Sequence, residues 1–242
     1  MTTAHEAFIS AVSQSMGLGA AVRAPGTTVV AASARANSNV VVAYAIAEHT
    51  VLWCDPALAD SLAPMVDTDR AAPLDECDAF LAALGWTPLP RAQMQVLGPE
   101  GVRPPSRSEH LVQSVEVTNP ADQALLDTFR ATLTAEDRDN ADLDDSPDEH
   151  IVVVLDADGV AAYSSQAPFA PATQFADISV ATRPDVRGRG LGHLVVARLC
   201  DEIAARGLHP LYRRDVTNVR SVRLCTALGF VPAIEVSGFR RP

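Results

Sequence analysis

The sequence predicts an α/β protein, an α+β arrangement built on a mixed sheet, divided into domains at residues 1–105 and 106–242. Three observations carry this. Strand-like and helix-like runs alternate along the whole chain. The stretch from Gly98 to Ser108 holds Pro99, Pro104, Pro105 and two serines, a linker composition between two such series. Near the C-terminus, Ile178 to Gly192 reads as a strand, a glycine turn and the start of a helix. The chain has 242 residues, 48% of them hydrophobic, enough for one large core or two small ones.

In the first domain, Ala4 to Met16 reads as a helix. Thr27–Ala32, Asn39–Ala47 and Thr50–Cys54 are apolar runs of strand length. Pro56–Ala63 makes a short helix and Leu74–Leu84 a longer one, with Leu74, Cys77, Phe80, Leu81 and Leu84 on one face. Arg91–Leu97 closes the domain as a strand. In the second domain, Leu111–Val117 alternates as a strand, and Asn119-Pro120 opens a helix with Leu125, Leu126, Phe129 and Leu133 on its apolar face. Glu136–Glu149 carries eight acids and one Arg, and reads as an exposed, mobile loop. Ile151–Leu155 and Val160–Ser165 flank an Asp-Gly hairpin turn. Phe175–Thr182, the helix from Leu191, the strand Leu208–Val216, the helix Asn218–Leu228 and a strand from Phe230 follow.

The glycine turn Arg187-Gly188-Arg189-Gly190-Leu191-Gly192 lies between a strand and a helix. Such a junction suits an anion, because backbone N–H groups point out of the helix start and glycines let a ligand approach them. A Walker A loop requires a lysine, and this chain has none. A dinucleotide fingerprint counted from Gly188 would end on His193 rather than glycine. The pattern R/Q-x-x-G-x-G/A is met by Arg187, Gly190 and Gly192. A second segment, Asn218-Val219-Arg220-Ser221 leading to Leu228-Gly229-Phe230, follows at suitable spacing.

These two segments together resemble the GNAT superfamily of acyl-CoA-dependent N-acyltransferases. The resemblance covers Leu111 to Pro242, where the order β-α-β-β-β-α-β-α-β also agrees. It implies direct transfer of an acetyl group from acetyl-CoA, a cosubstrate, to a primary amine, with no metal. It implies that Arg187, Gly188, Arg189, Gly190, Leu191 and Gly192 hold the CoA pyrophosphate. Backbone groups of Val180, Ala181 and Thr182 would face the thioester, and Asn218 and Ser221 would contact CoA. Asp177 stands where some relatives carry a carboxylate base; its other reading is a solvated acid at a strand end. Asn218 is equally a helix N-cap, and the two roles are compatible. Many relatives place Tyr, the acid that returns a proton to the departing sulfur, at the seventh position after the Asn; here that position is Cys225.

The first domain lacks R-x-x-G-x-G, yet Ala83-Leu84-Gly85-Trp86-Thr87-Pro88 echoes Ala227-Leu228-Gly229-Phe230-Val231-Pro232. Two readings stand: a degenerate second copy of the fold, or a common way to stop a helix and begin a strand. Its expected role is to cap the acceptor side or to mediate a homodimer.

Charge and composition narrow the function classes. Net charge is −11, which argues against nucleic acid as a partner. Residues 183–242 nevertheless hold 11 Arg against 5 Asp and Glu, a basic section around the glycine turn that fits a polyanionic cosubstrate. Four dispersed cysteines fit a reduced cytoplasm, and no signal peptide or membrane span is visible. The acceptor is expected to be a small-molecule or peptide amine. The rival class is a non-catalytic acyl-CoA-binding sensor or assembly module, in which the same glycine turn would serve.

Overall fold

The computed structural model describes residues 3–104, 111–115, 119–143 and 150–242. The chain forms two compact units: residues 1–95 with 215–217 and 232–242, and residues 96–214 with 218–231. Two strands run from one unit into the other, β5 (Ala92–Leu97) and β11 (Phe230–Arg240).

The first unit opens with α1 (Ala4–Ser15), whose Thr3 and Glu6 close a reciprocal capping box. The strands β1 (Gly26–Ala31), β2 (Val40–Ile46) and β3 (His49–Cys54) follow, then the short α2 (Ala59–Leu62), α3 (Leu74–Ala83) and the two-residue β4 (Thr87–Pro88). β1 lies parallel to β3, β3 pairs antiparallel with β2, and β2 pairs antiparallel with residues 234–240 of β11. The last strand of the sequence therefore completes the sheet of the first unit. Phe239 of β11 is buried with Val41, Leu52, Leu62, Leu81 and Trp86. Arg91 ion-pairs with Asp75 and Asp78 on α3 and with Glu235 on β11.

The second unit contains β6 (Leu111–Val115), α4 (Pro120–Thr132), α5 (Ala135–Asn140), β7 (His150–Asp156), β8 (Gly159–Pro168), β9 (Phe175–Thr182), α6 (Leu191–Ala205), β10 (His209–Asp215) and α7 (Val219–Leu228). β6 to β9 form an antiparallel meander in chain order, and α6 crosses over so that β10 lies parallel to β9. Both sheet faces are covered, and the alternation on β7 shows it: Val152 and Val154 pack under α6, Ile151 and Val153 under α4.

Two expectations change. Glu136–Glu149, expected as an exposed, mobile loop, is helical over its first residues. Thr134 and Asp137 form a capping box that starts α5, and Ala141 and Leu143 behind it are buried against α4; 144–149 lie outside the described residues. The run hid this because its apolar content is two residues placed after the helix rather than along it. The linker reading fails likewise over 98–104. Gly98 donates to Gly229, and Arg103 to Leu228, at 3.0 Å each, so this segment bonds across the C-terminal end of α7; 105–108 lie outside the described residues. The matching Gly85 and Gly229 both take left-handed backbone (φ +78° and +96°) at helix ends, the conformation a glycine stop requires.

Candidate functional site

β9 and β10 pair at only three positions, His209 with Phe175, Pro210 with Ala176 and Leu211 with Asp177. β9 continues to Thr182 and β10 to Asp215 with no further pairing between them. Alternate backbone groups of a strand face each of its neighbours. Past Leu211, those of Val180, Ala181 and Thr182 that turn from β8 therefore face an opening rather than β10.

The glycine turn closes the end of this opening. Pro184–Val186 makes one 3-10 turn after β9, and Gly188 and Gly190 then take φ of +78° and +80°. A Cβ at either would meet no atom within 4 Å, so these glycines serve backbone conformation and leave the turn open. Gly190 is the N-cap of α6 and offers no side chain to its first N–H groups. Leu191 is buried and anchors the helix start in the core. At Gly192 a Cβ would touch Thr182 Oγ1 at 3.4 Å and Leu224 Cδ2 at 3.5 Å, so its smallness keeps α6 close to β9 and α7. An uncapped helix start above open glycines is a fit cradle for a phosphate.

Both turn arginines have other bonds. Arg187 donates from Nε to the Thr182 carbonyl at 3.1 Å and pairs through Nη2 with Asp137 of α5 at 2.7 Å. Burial works against the Asp137 charge, but hydrogen bonds from Arg187 and Thr134 hold its carboxyl below the ordinary aspartate value. Arg187 thus braces the turn with its side chain. Arg189 is exposed and reaches the Asp185 carbonyl at 3.4 Å. His193 meets the Arg103 carbonyl at 2.9 Å.

On α7, Asn218 accepts from the Ser221 N–H at 3.1 Å, the expected N-cap, and Ser221 Oγ donates to the buried Tyr212 hydroxyl at 3.0 Å. Cys225 is fully buried one turn on.

Asp177 stands on the opposite sheet face from Ile178 and Val180, at the last position of β9 that pairs with β10. Its side chain is 15% exposed and accepts from Arg213 Nε at 3.0 Å, while Arg213 Nη2 reaches Asp142 at 3.2 Å. Asp177 is thus partly buried and ion-paired. Burial pushes its carboxyl above the ordinary aspartate value, against the pull of Arg213.

The sequence reading missed Asp137, Asp142, Arg213 and Tyr212. One signal was available: Thr134-x-x-Asp137 has capping-box spacing. The others are joined only by tertiary pairing. Among the described residues, no group of three or more His, Cys, Asp or Glu is arranged to hold a metal ion, and no helix is long and apolar enough to cross a membrane.

Residues 174–236 match a family model described as FR47-like protein. No curated protein matches the chain. Among solved structures, an acetyltransferase of the GNAT family from Colwellia psychrerythraea superposes with a TM-score of 0.51 at 14% identity, covering 79% of this chain and 76% of that one. A tandem GNAT protein from the clavulanic acid biosynthesis pathway gives 0.50 at 18% identity, covering 71% and 59%. A GCN5-related N-acetyltransferase from Kribbella flavida gives 0.49 at 17% identity, covering 68% and 63%. The chain thus spans about six tenths of the length of the latter two.

Proposed function

On the GNAT fold that the chain shares, and on an FR47-like match spanning both the glycine turn and α7, we propose that the protein is an N-acetyltransferase. It moves an acetyl group directly from acetyl-CoA to a primary amine. One observation carries this reading: β9 and β10 part at Leu211, and the opening ends at an uncapped helix start flanked by two left-handed glycines. A slot beside a strand edge suits the pantetheine arm, and the helix start suits its pyrophosphate.

In this reading the N–H groups of Gly188 to Gly192 hold the pyrophosphate, and Asn218 and Ser221 line the arm at the start of α7. The acceptor reaches Asp177 as an ammonium and gives it a proton. The free amine then attacks the thioester carbon, and a backbone N–H of Val180–Thr182 donates to the carbonyl oxygen as charge gathers there. The C–S bond breaks with its electron pair going to sulfur. The thiolate takes a proton from water, the hydroxide so formed takes the second proton of the former amine nitrogen to leave the neutral amide, and Asp177 returns its own proton to solvent. A partly buried Asp177 whose carboxyl is raised by burial suits a base that must both take and release a proton. The four cysteines are free and buried, which fits the cytoplasm.

The test is CoA thiol release from acetyl-CoA with and without a panel of primary amines. Amine-dependent release supports the enzyme. Tight acetyl-CoA binding without release under any amine supports the sensor or assembly module instead.

A further inference from the structure

Asp142 occupies a place where a helix end asks for glycine. Helix α5 finishes with two tight backbone bonds, Asp142 N–H to the Asp139 carbonyl and Leu143 N–H to the Arg138 carbonyl, both at 3.0 Å. This is the pattern in which the residue after the C-cap turns left-handed, and Asp142 does so at φ +52°. Glycine takes that conformation freely, and aspartate does so at a cost. Buried Leu143 fixes the turn in place, so the strain cannot relax. A residue kept against local preference points to a use for its side chain.

The Asp142 carboxylate receives Arg213 Nη2, and the same guanidinium gives Nε to Asp177. Strand alternation explains the meeting. Leu211 is the register partner of Asp177, neighbours across a sheet share a face, and Arg213 lies two residues on, hence on that same face. It is also the first such position past the point where β9 and β10 part.

We infer that Asp142 and Arg213 are positioning residues for Asp177, a charge chain that aims its carboxylate at the vertex of the β9–β10 opening. This rests on the acyl-transfer reading, in which Asp177 receives the proton of the acceptor ammonium. Among the described residues, the charged groups facing Asp177 are Arg213 on β10 and Asp142 beyond α5, and the Ile178 N–H also bonds to it. Burial favours the neutral acid, Arg213 the charged form, and Asp142 chiefly orients Arg213. Without Arg213, only the Ile178 N–H would oppose desolvation.

The experiment titrates the Asp177 carboxyl by carbon-13 NMR in the full chain, wild type against Arg213→Gln and Arg213→Lys, beside the pH dependence of kcat. Arg213→Gln is expected to move the Asp177 titration, and the acid limb of kcat with it, upward by about one pH unit or more, with activity recovering at high pH. Arg213→Lys should restore much of the shift. Asp142→Gly should hold or raise the melting temperature while lowering kcat at least tenfold, a split that a merely structural role would not produce. An unmoved Asp177 titration in Arg213→Gln, or full kcat in Asp142→Gly, overturns the inference. Should the wild type release no thiol with any amine, the enzyme reading fails by itself, and the NMR shift still decides whether Arg213 governs Asp177.

Discussion

Arg183 grips Asp156 through two nitrogens, Nη1 to Oδ1 at 3.1 Å and Nη2 to Oδ2 at 2.7 Å, and gives its Nε to Asp185 at 2.7 Å. Arg183 directly follows β9, ahead of the glycine turn, and Asp156 closes β7 at the hairpin. The bond ties the base of the turn to a rigid sheet corner. The Arg183 side chain is 8% exposed, so removing its guanidinium leaves a partly buried carboxylate without its partner. Arg183→Met is expected to cost about 2 kcal/mol of stability, below the range for fully buried pairs because Asp156 keeps some solvent. Denaturant melts check the first effect, and a weaker CoA affinity by calorimetry checks the loosened turn.

The same pair sets an acid limit. Hydrogen bonds from Arg183 hold the Asp156 and Asp185 carboxyls below their ordinary values. A carboxyl depressed in the folded state stabilises the fold above its unfolded value, near ~3.9, and that contribution disappears as pH falls through the lower folded value. Wild-type melting temperature should therefore hold from pH 7 to about 5 and drop below about 4. Arg183→Met should start lower and fall less steeply over the same window. Equal slopes in the two proteins would show that this cluster does not set the limit.

The glycines of the turn separate into two kinds. Gly190 is left-handed and faces open space, whereas Gly192 has ordinary φ and limited room. Gly190→Asp puts a side chain and a negative charge at the uncapped helix start and should weaken CoA binding by at least ~2 kcal/mol, the scale of a lost charged hydrogen bond. Gly192→Ala places its methyl at ordinary contact distance from Thr182 and Leu224 and should change binding by less than ~0.5 kcal/mol. Calorimetry on both variants tests the assignment, and equal losses would sink it.

The limits of the sequence reading have a physical pattern. Features decided by neighbours along the chain were legible: the glycine turn, the Asn119 and Asn218 caps, and the bounds Phe175–Thr182 of β9. The destination of β11 was not, because its seven register partners on β2 lie almost 200 residues earlier and nothing local selects them. The surroundings of Asp177 were illegible for the same reason: Arg213 and Asp142 meet it only once β10 is laid beside β9 and α5 has turned its end. What remained readable of the candidate site was its glycine frame, and what remained hidden was the charge around it.

That long-range strand has a consequence for stability. Phe239 is 1% exposed in the core of the first unit although it lies three residues from the chain's end. Phe239→Ala should cost about 3–4 kcal/mol, the usual loss for a buried phenylalanine. Trp53 and Trp86 both belong to the first unit, so tryptophan fluorescence during urea unfolding reports on it. A midpoint unchanged from wild type would show that residues 232–242 are dispensable to that unit.

Cys225 stands at the position where the family resemblance places a tyrosine acid. Its side chain is fully buried beside Leu228 and Phe230, its thiol donates to the Val222 carbonyl at 3.2 Å, and burial pushes the thiol above its ordinary value. A thiol so enclosed and already bonded is a packing group. Cys225→Ala should therefore lower turnover by less than ~10-fold, short of the loss of a general acid, with CoA affinity unchanged. Cys225→Tyr should not rescue anything. The larger ring has to enter a filled core and is expected to destabilise the protein by about 1–3 kcal/mol. The measurement is kcat at saturating acetyl-CoA for Cys225→Ala, Cys225→Ser and Cys225→Tyr, each with a thermal melt. A fall of 100-fold or more in the alanine variant, with its melt intact, would make Cys225 the proton donor and leave water without that part.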